Sequence, residues 1–420
     1  MSQIILYIPG LTPRITYAVG EIFRRCIDFK LRITEDETNY LNSDAAVKLH
    51  YTNKDLPGHR IFRSGFMDET GIRHGFSPPV ARIDGVFCLF TDEKRQLFDL
   101  PAMVFWCLTR YEEYQQFIPD KHGRFPASAS LLFLQGVLEE PVCDRAINAM
   151  FSTWGLPCNK KFSVTPTLDI DIAFAFAGRG LLRALGAATK TPFSLPQRLK
   201  SIANPTTDPN YSFPYIQTSL KNHPEARVFW HCGAKSNIYD KQVRRSYKPL
   251  TEAIQSLDKH ISCGLHPSFA ASGDAEILLQ EKQHLENTIN REVTDSRMHY
   301  ILLSMPHTYR KLLHCGIKND YSMGYPDAIG FRAGTAYSFA WYDLIEEQST
   351  NLQIHPFCIM EATCKHYLNQ TTEQAISRGN QLKSVIRESG GTFSFIFHNE
   401  SLGKQKIWQG WNSVFEAWLA

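Results

Sequence analysis

The sequence has no surplus of charge of either sign: 45 Lys and Arg stand against 42 Asp and Glu, a formal net charge of +3 on 420 residues. That is too little to draw a polyanion, so no nucleic-acid partner is expected. No run of about 18 apolar residues occurs, which excludes a membrane-spanning helix. The opening MSQIILYIPGLTPRI lacks a basic leader, and Pro9 and Gly10 interrupt its apolar stretch, so a secretory signal is not expected. The ten cysteines contain no C-x-x-C pair and no close cluster, which argues against a zinc ribbon and against a small disulfide scaffold. There is no internal repeat and no low-complexity tract, so solenoids and propellers are set aside. A reduced, soluble, cytoplasmic protein is the expectation.

What is present suggests an α/β protein in two parts. At about 100–200 residues per domain the length gives two domains, and 43% apolar content supplies a core for each. Residues 1–156 mix short apolar strands with helical stretches such as Leu100–Phe117, and read as a small α/β domain of unknown role. The polar run that follows contains Asp120, His122 and Arg124. It is either a solvated helix end and turn or part of a surface facing the second domain or its substrate. From residue 157 to 420 strands and helices alternate. Expected strands are Phe162–Ile172, Arg227–His231, His260–His266, His299–Met305, Ile329–Arg332, Ile354–Met360 and Thr392–His398, with helices at Asp274–Val293 and Thr371–Glu388. Alternation of this kind predicts a parallel sheet wrapped by helices, and seven strands suggest a closed barrel with its chemistry at the strand C-termini. Residues 178–223, rich in Gly and Pro, read as an insertion after the first barrel strand.

Polar residues at the ends of apolar strands are the informative anomaly, because burying them costs free energy unless something satisfies them. Asp169 and Asp171 lie two apart, on one face of a strand, with Leu168 and Ile170 on the other. Two such carboxylates raise each other's pKa unless a cation lies beside them, although salt-bridged or helix-capping carboxylates would give the same spacing. His266 precedes Pro267, Arg297 and His299 share a face, and an aromatic strand ends at His398. One Asp and two His would make an open three-ligand site of the hydrolytic zinc kind, while each histidine alone could equally be a packed, hydrogen-bonded residue. Arg332, in GFRAGT, is either a cation for an anionic part of the substrate or half of a structural ion pair. Aromatic rings such as Tyr321 could stack on sugar faces or fill a barrel core.

The order of these motifs, from roughly Phe162 to Trp418, resembles the polysaccharide deacetylase family, carbohydrate esterase family 4. Its pattern runs T-F-D-D, H-[ST]-x-x-H, R-x-P-Y, an Asp-containing segment and a strand ending L-H. Here TLDID, GLHPS, SRMHY, DYSMGY, GFRAGT and F-H-N stand in that order, so the likeness is to a divergent two-domain branch with an N-terminal α/β domain. The resemblance implies a distorted (β/α)7 barrel and one divalent metal ion, zinc in the first instance. It implies Asp169 as catalytic base, Asp171 and His266 as metal ligands, Arg297 orienting the base and His398 as general acid. Asp320 falls near the family's later Asp motif and, with Tyr321 and Arg332, is assigned to substrate binding. The chain departs from the pattern at Ala270, where the second histidine of H-x-x-x-H would stand, and His299 is the candidate third ligand. The implied activity is removal of an N-acetyl, or less readily an O-acetyl, group from a sugar or glycan intermediate in surface polysaccharide synthesis. The alternatives are hydrolysis of another non-peptide C–N bond, of the cyclic imide type, or a glycan-binding barrel without activity. The N-terminal domain would shape one wall of the substrate cleft.

Overall fold

Nine consecutive residues from Phe162 to Ile170 form the strand on which the larger sheet is built (β5), and from Leu168 to Ile170 it is buried. The structure, a computed structural model, describes residues 2–179, 195–233 and 238–420. Part of the expected insertion, residues 180–194, lies outside the described residues. Ahead of β5, strands Ser2–Tyr7 (β1), Phe29–Thr34 (β2), Val47–Tyr51 (β3) and His59–Ile61 (β4) make a parallel four-stranded sheet in the order β2-β1-β3-β4. Helix Pro13–Phe23 (α1) follows β1. Its start is set by Pro13 in the first turn and by Thr12, whose side-chain oxygen accepts from the Ile15 N–H.

The larger sheet adds Arg227–His231 (β6), Ser262–His266 (β7), Asp295–Ser296 (β8), Asn319–Asp320 (β9), Phe339–Asp343 (β10), Gln348–Ile354 (β11), Ile359–Met360 (β12) and Gly391–His398 (β13). Its order is β10-β11-β9-β8-β7-β6-β5-β13-β12, parallel throughout except for the β10–β11 pair. The face that carries Leu168, Val228, Trp230, Leu265, Phe393, Phe395 and Phe397 is apolar and at or below 1% exposure, and the opposite face, with Thr167, Asp169, Phe229 and His266, is buried as well.

The expected closed seven-stranded barrel is corrected in three respects. Among the described residues β10 and β12 end the sheet without pairing to each other, so no hydrogen-bonded barrel closes. Ile329–Arg332 is not a strand, because the Phe331 N–H donates to the Leu138 carbonyl, in the N-terminal part of the chain, at 2.8 Å, and Gly330 turns with φ +131°. His299–Met305 is not a strand either. Only Asp295–Ser296 pairs, and the chain then turns through Tyr300 and Ile301, both at positive φ.

Register, more than propensity, assembles the polar ends. β13 pairs with β5 over eight residues, which sets His398 opposite Asp169. β6 pairs with β7 so that His231 stands opposite His266. One continuous apolar cluster runs from Ile4 to Trp418, and polar ties cross between the two sheets. The Tyr17 hydroxyl donates to the Ala340 carbonyl at 2.7 Å, Arg14 pairs with Glu347, and Arg25 donates from Nη2 to Thr335 Oγ1 at 3.2 Å. Among the described residues no helix is long and apolar enough to cross a membrane.

Candidate active site

The two carboxylates at the end of β5 are treated differently by their surroundings. Asp169, 2% exposed, accepts from Arg297 Nη1 at 3.0 Å. Arg297 is fully buried, lies over the Phe229 ring at 4.7 Å and donates from Nε to the Tyr321 carbonyl at 3.0 Å. A guanidinium so fixed aims the Asp169 carboxylate. Asp171, one residue beyond the strand, faces histidines instead. Its Oδ1 is 3.0 Å from His266 Nε2 and 3.6 Å from His299 Nδ1, and its Oδ2 is 3.7 Å from His398 Nε2. Oδ1 is buried and off the hydrogen-bonding direction of its neighbours, which leaves it without a sound partner.

Each of the first two histidines has one nitrogen tied to a backbone carbonyl. His266 Nδ1 is 2.6 Å from the Arg297 carbonyl, and His299 Nε2 is 3.3 Å from the Tyr239 carbonyl. A carbonyl only accepts, so both tied nitrogens carry the proton, and His266 Nε2 and His299 Nδ1 are lone pairs 3.0 Å apart. Two lone pairs and a carboxylate oxygen, all within 4.8 Å of one another, repel unless a positive charge stands among them. A proton resolves this in one way: burial pushes the His266 pKa down, but Asp169 and Asp171 outweigh it and the net direction is up. A divalent ion resolves it in another, and the N, N, O donor set, with each imidazole anchored through its second nitrogen, is the arrangement such an ion takes. Burial drives His299 down to about 3, so it stays neutral, as a ligand must. Burial opposes ionisation of Asp171, yet the histidines around it hold its carboxyl well below the usual range.

His398 closes the other side. Its Nδ1 is 2.8 Å from Glu361 Oε1, an oxygen that also accepts from the His398 backbone N–H at 2.9 Å and from Ser401 Oγ at 2.5 Å. Glu361 is fully buried. Burial alone would lower the His398 pKa, but Glu361 and Asp171 raise it well above its ordinary value, so the ring is a proton donor with Nε2 toward Asp171.

These groups line a cleft of about 200 Å³, shared with Arg124, Tyr300, His366, Tyr367, Glu400 and Trp408. Of the nine residues expected at the site, Asp169, Asp171, His266, His299 and His398 line it, and Arg297 supports it from behind. The remaining three, Arg332, Asp320 and Tyr321, do not line it. Arg332 is 1% exposed and forks onto Glu113 through Nε at 2.8 Å and Nη2 at 2.7 Å, so its guanidinium is taken up in a buried ion pair. Asp320 is buried and accepts from the Ser322 N–H and Oγ at 2.9 and 2.8 Å. Tyr321 stacks on His355 at 4.4 Å and lines a separate cavity.

Residues 4–154 match the model of a family of unknown function, DUF7033. No curated protein matches. Among solved structures the chain is similar to a Mycobacterium smegmatis protein described as a polysaccharide deacetylase, at 14% identity and a TM-score of 0.40, over 63% of this chain and 84% of that one. It is similar also to an allantoinase, at 8% identity and a TM-score of 0.39, over 61% and 83%. A polysaccharide deacetylase from Bacillus cereus shares 11% identity at a TM-score of 0.28, over 62% and 86%.

Sequence reasoning missed three groups. Glu361 follows the apolar pair Ile359–Met360, the same polar-after-strand signal that marked the histidines. His231 ends β6, and its Nε2 is 2.9 Å from Asp240 Oδ1 while its Nδ1 accepts from the Gly233 N–H at 3.1 Å. His231, Asp240 and His299 form a second convergent group beside the first. Glu400, two residues past His398, has its carboxyl raised to about 7 by burial.

Proposed function

We propose that this protein is a metal-dependent hydrolase that removes an acetyl group from the nitrogen of a sugar, in a glycan intermediate of surface polysaccharide synthesis. One observation carries the reading: two imidazole nitrogens, each on a ring anchored through its other nitrogen, and the Asp171 carboxylate converge between an arginine-held carboxylate and a glutamate-held imidazole. Asp171, His266 and His299 would hold a divalent ion, with zinc favoured by the mixed N and O donors. Bound there, the ion supplies Lewis acidity toward a carbonyl oxygen and lowers the pKa of water.

The chain's own residues account for the proton movements. Asp169, aimed by Arg297, takes the proton of the attacking water as general base, a contribution of about 10²–10⁴-fold. His398, charged and oriented by Glu361, delivers a proton to the departing nitrogen, which suits a basic amine that cannot leave as an anion. Tyr300, Tyr367 and Trp408 give the cleft rings on which a sugar face can rest. We propose, in addition, that residues 1–156 and 157–420 are separate structural units, the first contributing a wall of the cleft.

The test is elemental mass spectrometry of the purified protein beside Asp171→Ala and His266→Ala, followed by acetate-release assays on N-acetylated sugars. About one divalent ion per chain, lost in both variants, with acetate released by the wild type and suppressed by chelation, is the expected result. Absence of metal after incubation with zinc would refute the metal-dependent reading. Ring opening of a cyclic imide without acetate release would move the reaction to another C–N bond.

A further inference from the structure

We propose that Arg124 and His122, in the segment matching a family of unknown function, are positioning residues for the third metal ligand, His299. The inference rests on the metal site proposed above. His299 is followed by two residues in a conformation their side chains disfavour: Tyr300 at φ 57° and Ile301 at φ 53°. A β-branched residue at positive φ is uncommon, and such a backbone persists only where its surroundings over-determine it. The turn at 120–124 provides that constraint.

Arg124, its side chain 3% exposed, donates from Nη1 to the Tyr300 carbonyl at 2.7 Å. Its Nε donates to Asp120 Oδ2 at 2.7 Å, and Nη2 lies 2.7 Å from the same oxygen. Asp120 is in turn fixed by the backbone N–H groups of His122 and Arg124, at 2.8 and 2.9 Å. The guanidinium therefore cannot swing away without leaving Asp120. The His122 ring packs against Tyr300 at 5.2 Å and against Tyr239 at 6.0 Å. Tyr239 supplies the carbonyl that takes the His299 Nε2 proton. The turn thus touches both neighbours that orient the imidazole: the residue after it in the chain and the carbonyl that fixes its tautomer. Groups that orient a ligand from behind are worth about 10–100-fold in metal affinity. The missing histidine at Ala270 gives this arm added weight, because His299 stands in its place and is supplied by a turn that does not hold its shape through local propensity alone.

The experiment uses full-length, metal-stripped protein titrated with cobalt(II) in competition with a chromophoric chelator, reading both affinity and ligand-field absorption. Arg124→Ala is expected to bind cobalt about 10–100-fold more weakly with an altered absorption band, and guanidinium ion is expected to restore part of both. Arg124→Lys should fall between. If circular dichroism shows that Arg124→Ala does not fold, His122→Ala, which strands no charge, is expected to weaken binding in the same direction. Wild-type affinity and an unchanged spectrum in the folded variants would overturn the proposal while leaving the metal site standing. Failure of the wild type to bind cobalt would overturn both.

Discussion

Replacing Arg332 separates a structural cation from a substrate-binding one, and the structure fixes the size of the effect. Glu113 lies between two buried guanidinium groups: its Oε1 accepts from Arg110 Nε at 2.8 Å and from Arg332 Nε at 2.8 Å, and its Oε2 from Arg332 Nη2 at 2.7 Å. All three side chains are at or below 3% exposure. Burial would raise the Glu113 pKa, but Arg332 and Arg110 outweigh it and hold the carboxyl below its ordinary value. Breaking a buried pair by removing one partner costs about 3–5 kcal/mol, because the charge left behind is uncompensated. The two single substitutions differ in what they strand. Arg332→Met leaves Glu113 with Arg110, so a loss of about 3 kcal/mol is expected. Glu113→Gln leaves Arg332 with no carboxylate among the described residues, beside the Gly324 carbonyl at 3.0 Å and the Tyr325 ring at 5.0 Å, so a loss nearer 5 kcal/mol is expected. The double variant should lose less than the sum by about 1–3 kcal/mol, the signature of a shared interaction. Urea denaturation read by tryptophan fluorescence and circular dichroism measures these differences where the two probes coincide. Because the folded-state pKa of Glu113 is depressed, its contribution is present above the unfolded value of 4.5 and is lost as pH falls through the folded one. The penalty of Arg332→Met should therefore shrink below about pH 4.5. An unchanged urea midpoint together with a raised KM would refute the structural assignment and return Arg332 to the substrate.

Two further outcomes follow from other buried carboxyls. Glu361→Gln removes the charge that keeps His398 protonated, so kcat should fall by about 10²–10⁴-fold while metal content by mass spectrometry stays at the wild-type level; full activity would remove His398 as the acid. Asp320, its carboxyl raised to about 6 by burial, binds its proton more tightly in the folded than in the unfolded chain. Stability should then fall by on the order of 3 kcal/mol as pH rises from about 4 to about 6, and Asp320→Asn should remove that slope in urea midpoints measured across the interval. The same slope in wild type and variant would refute it.

The parts of the fold that were legible are those where local pattern and tertiary environment agree. β5, β7 and β13 are apolar runs with Asp or His at their ends, and register, with β6 between β5 and β7, brings those ends into one cleft. Arg332 was not decidable from sequence, because its partner Glu113 lies 219 residues away and nothing local distinguishes a paired guanidinium from one that faces substrate. Glu361 and Asp240 escaped for a related reason: each acquires its meaning only from the imidazole it meets across the sheet ends. The closed barrel failed because Ile329–Arg332, apolar enough for a strand, is spent on a contact with Leu138.

The failure at His299–Met305 has a different origin. HYILLSM has the β-branched and aromatic content of a strand, and local propensity alone would extend it. Instead Tyr300 and Ile301 turn into the left-handed region, and the Tyr300 carbonyl accepts a hydrogen bond from Arg124, 176 residues earlier in the chain. A strand there would carry the His299 side chain along a regular pleat; the turn sets its Nδ1 3.0 Å from His266 Nε2. Sequences are locally consistent with their folds except where a site demands otherwise. Here the broken rule falls at His299, the histidine proposed above as the third ligand, so the departure from strand propensity is what brings that imidazole to His266.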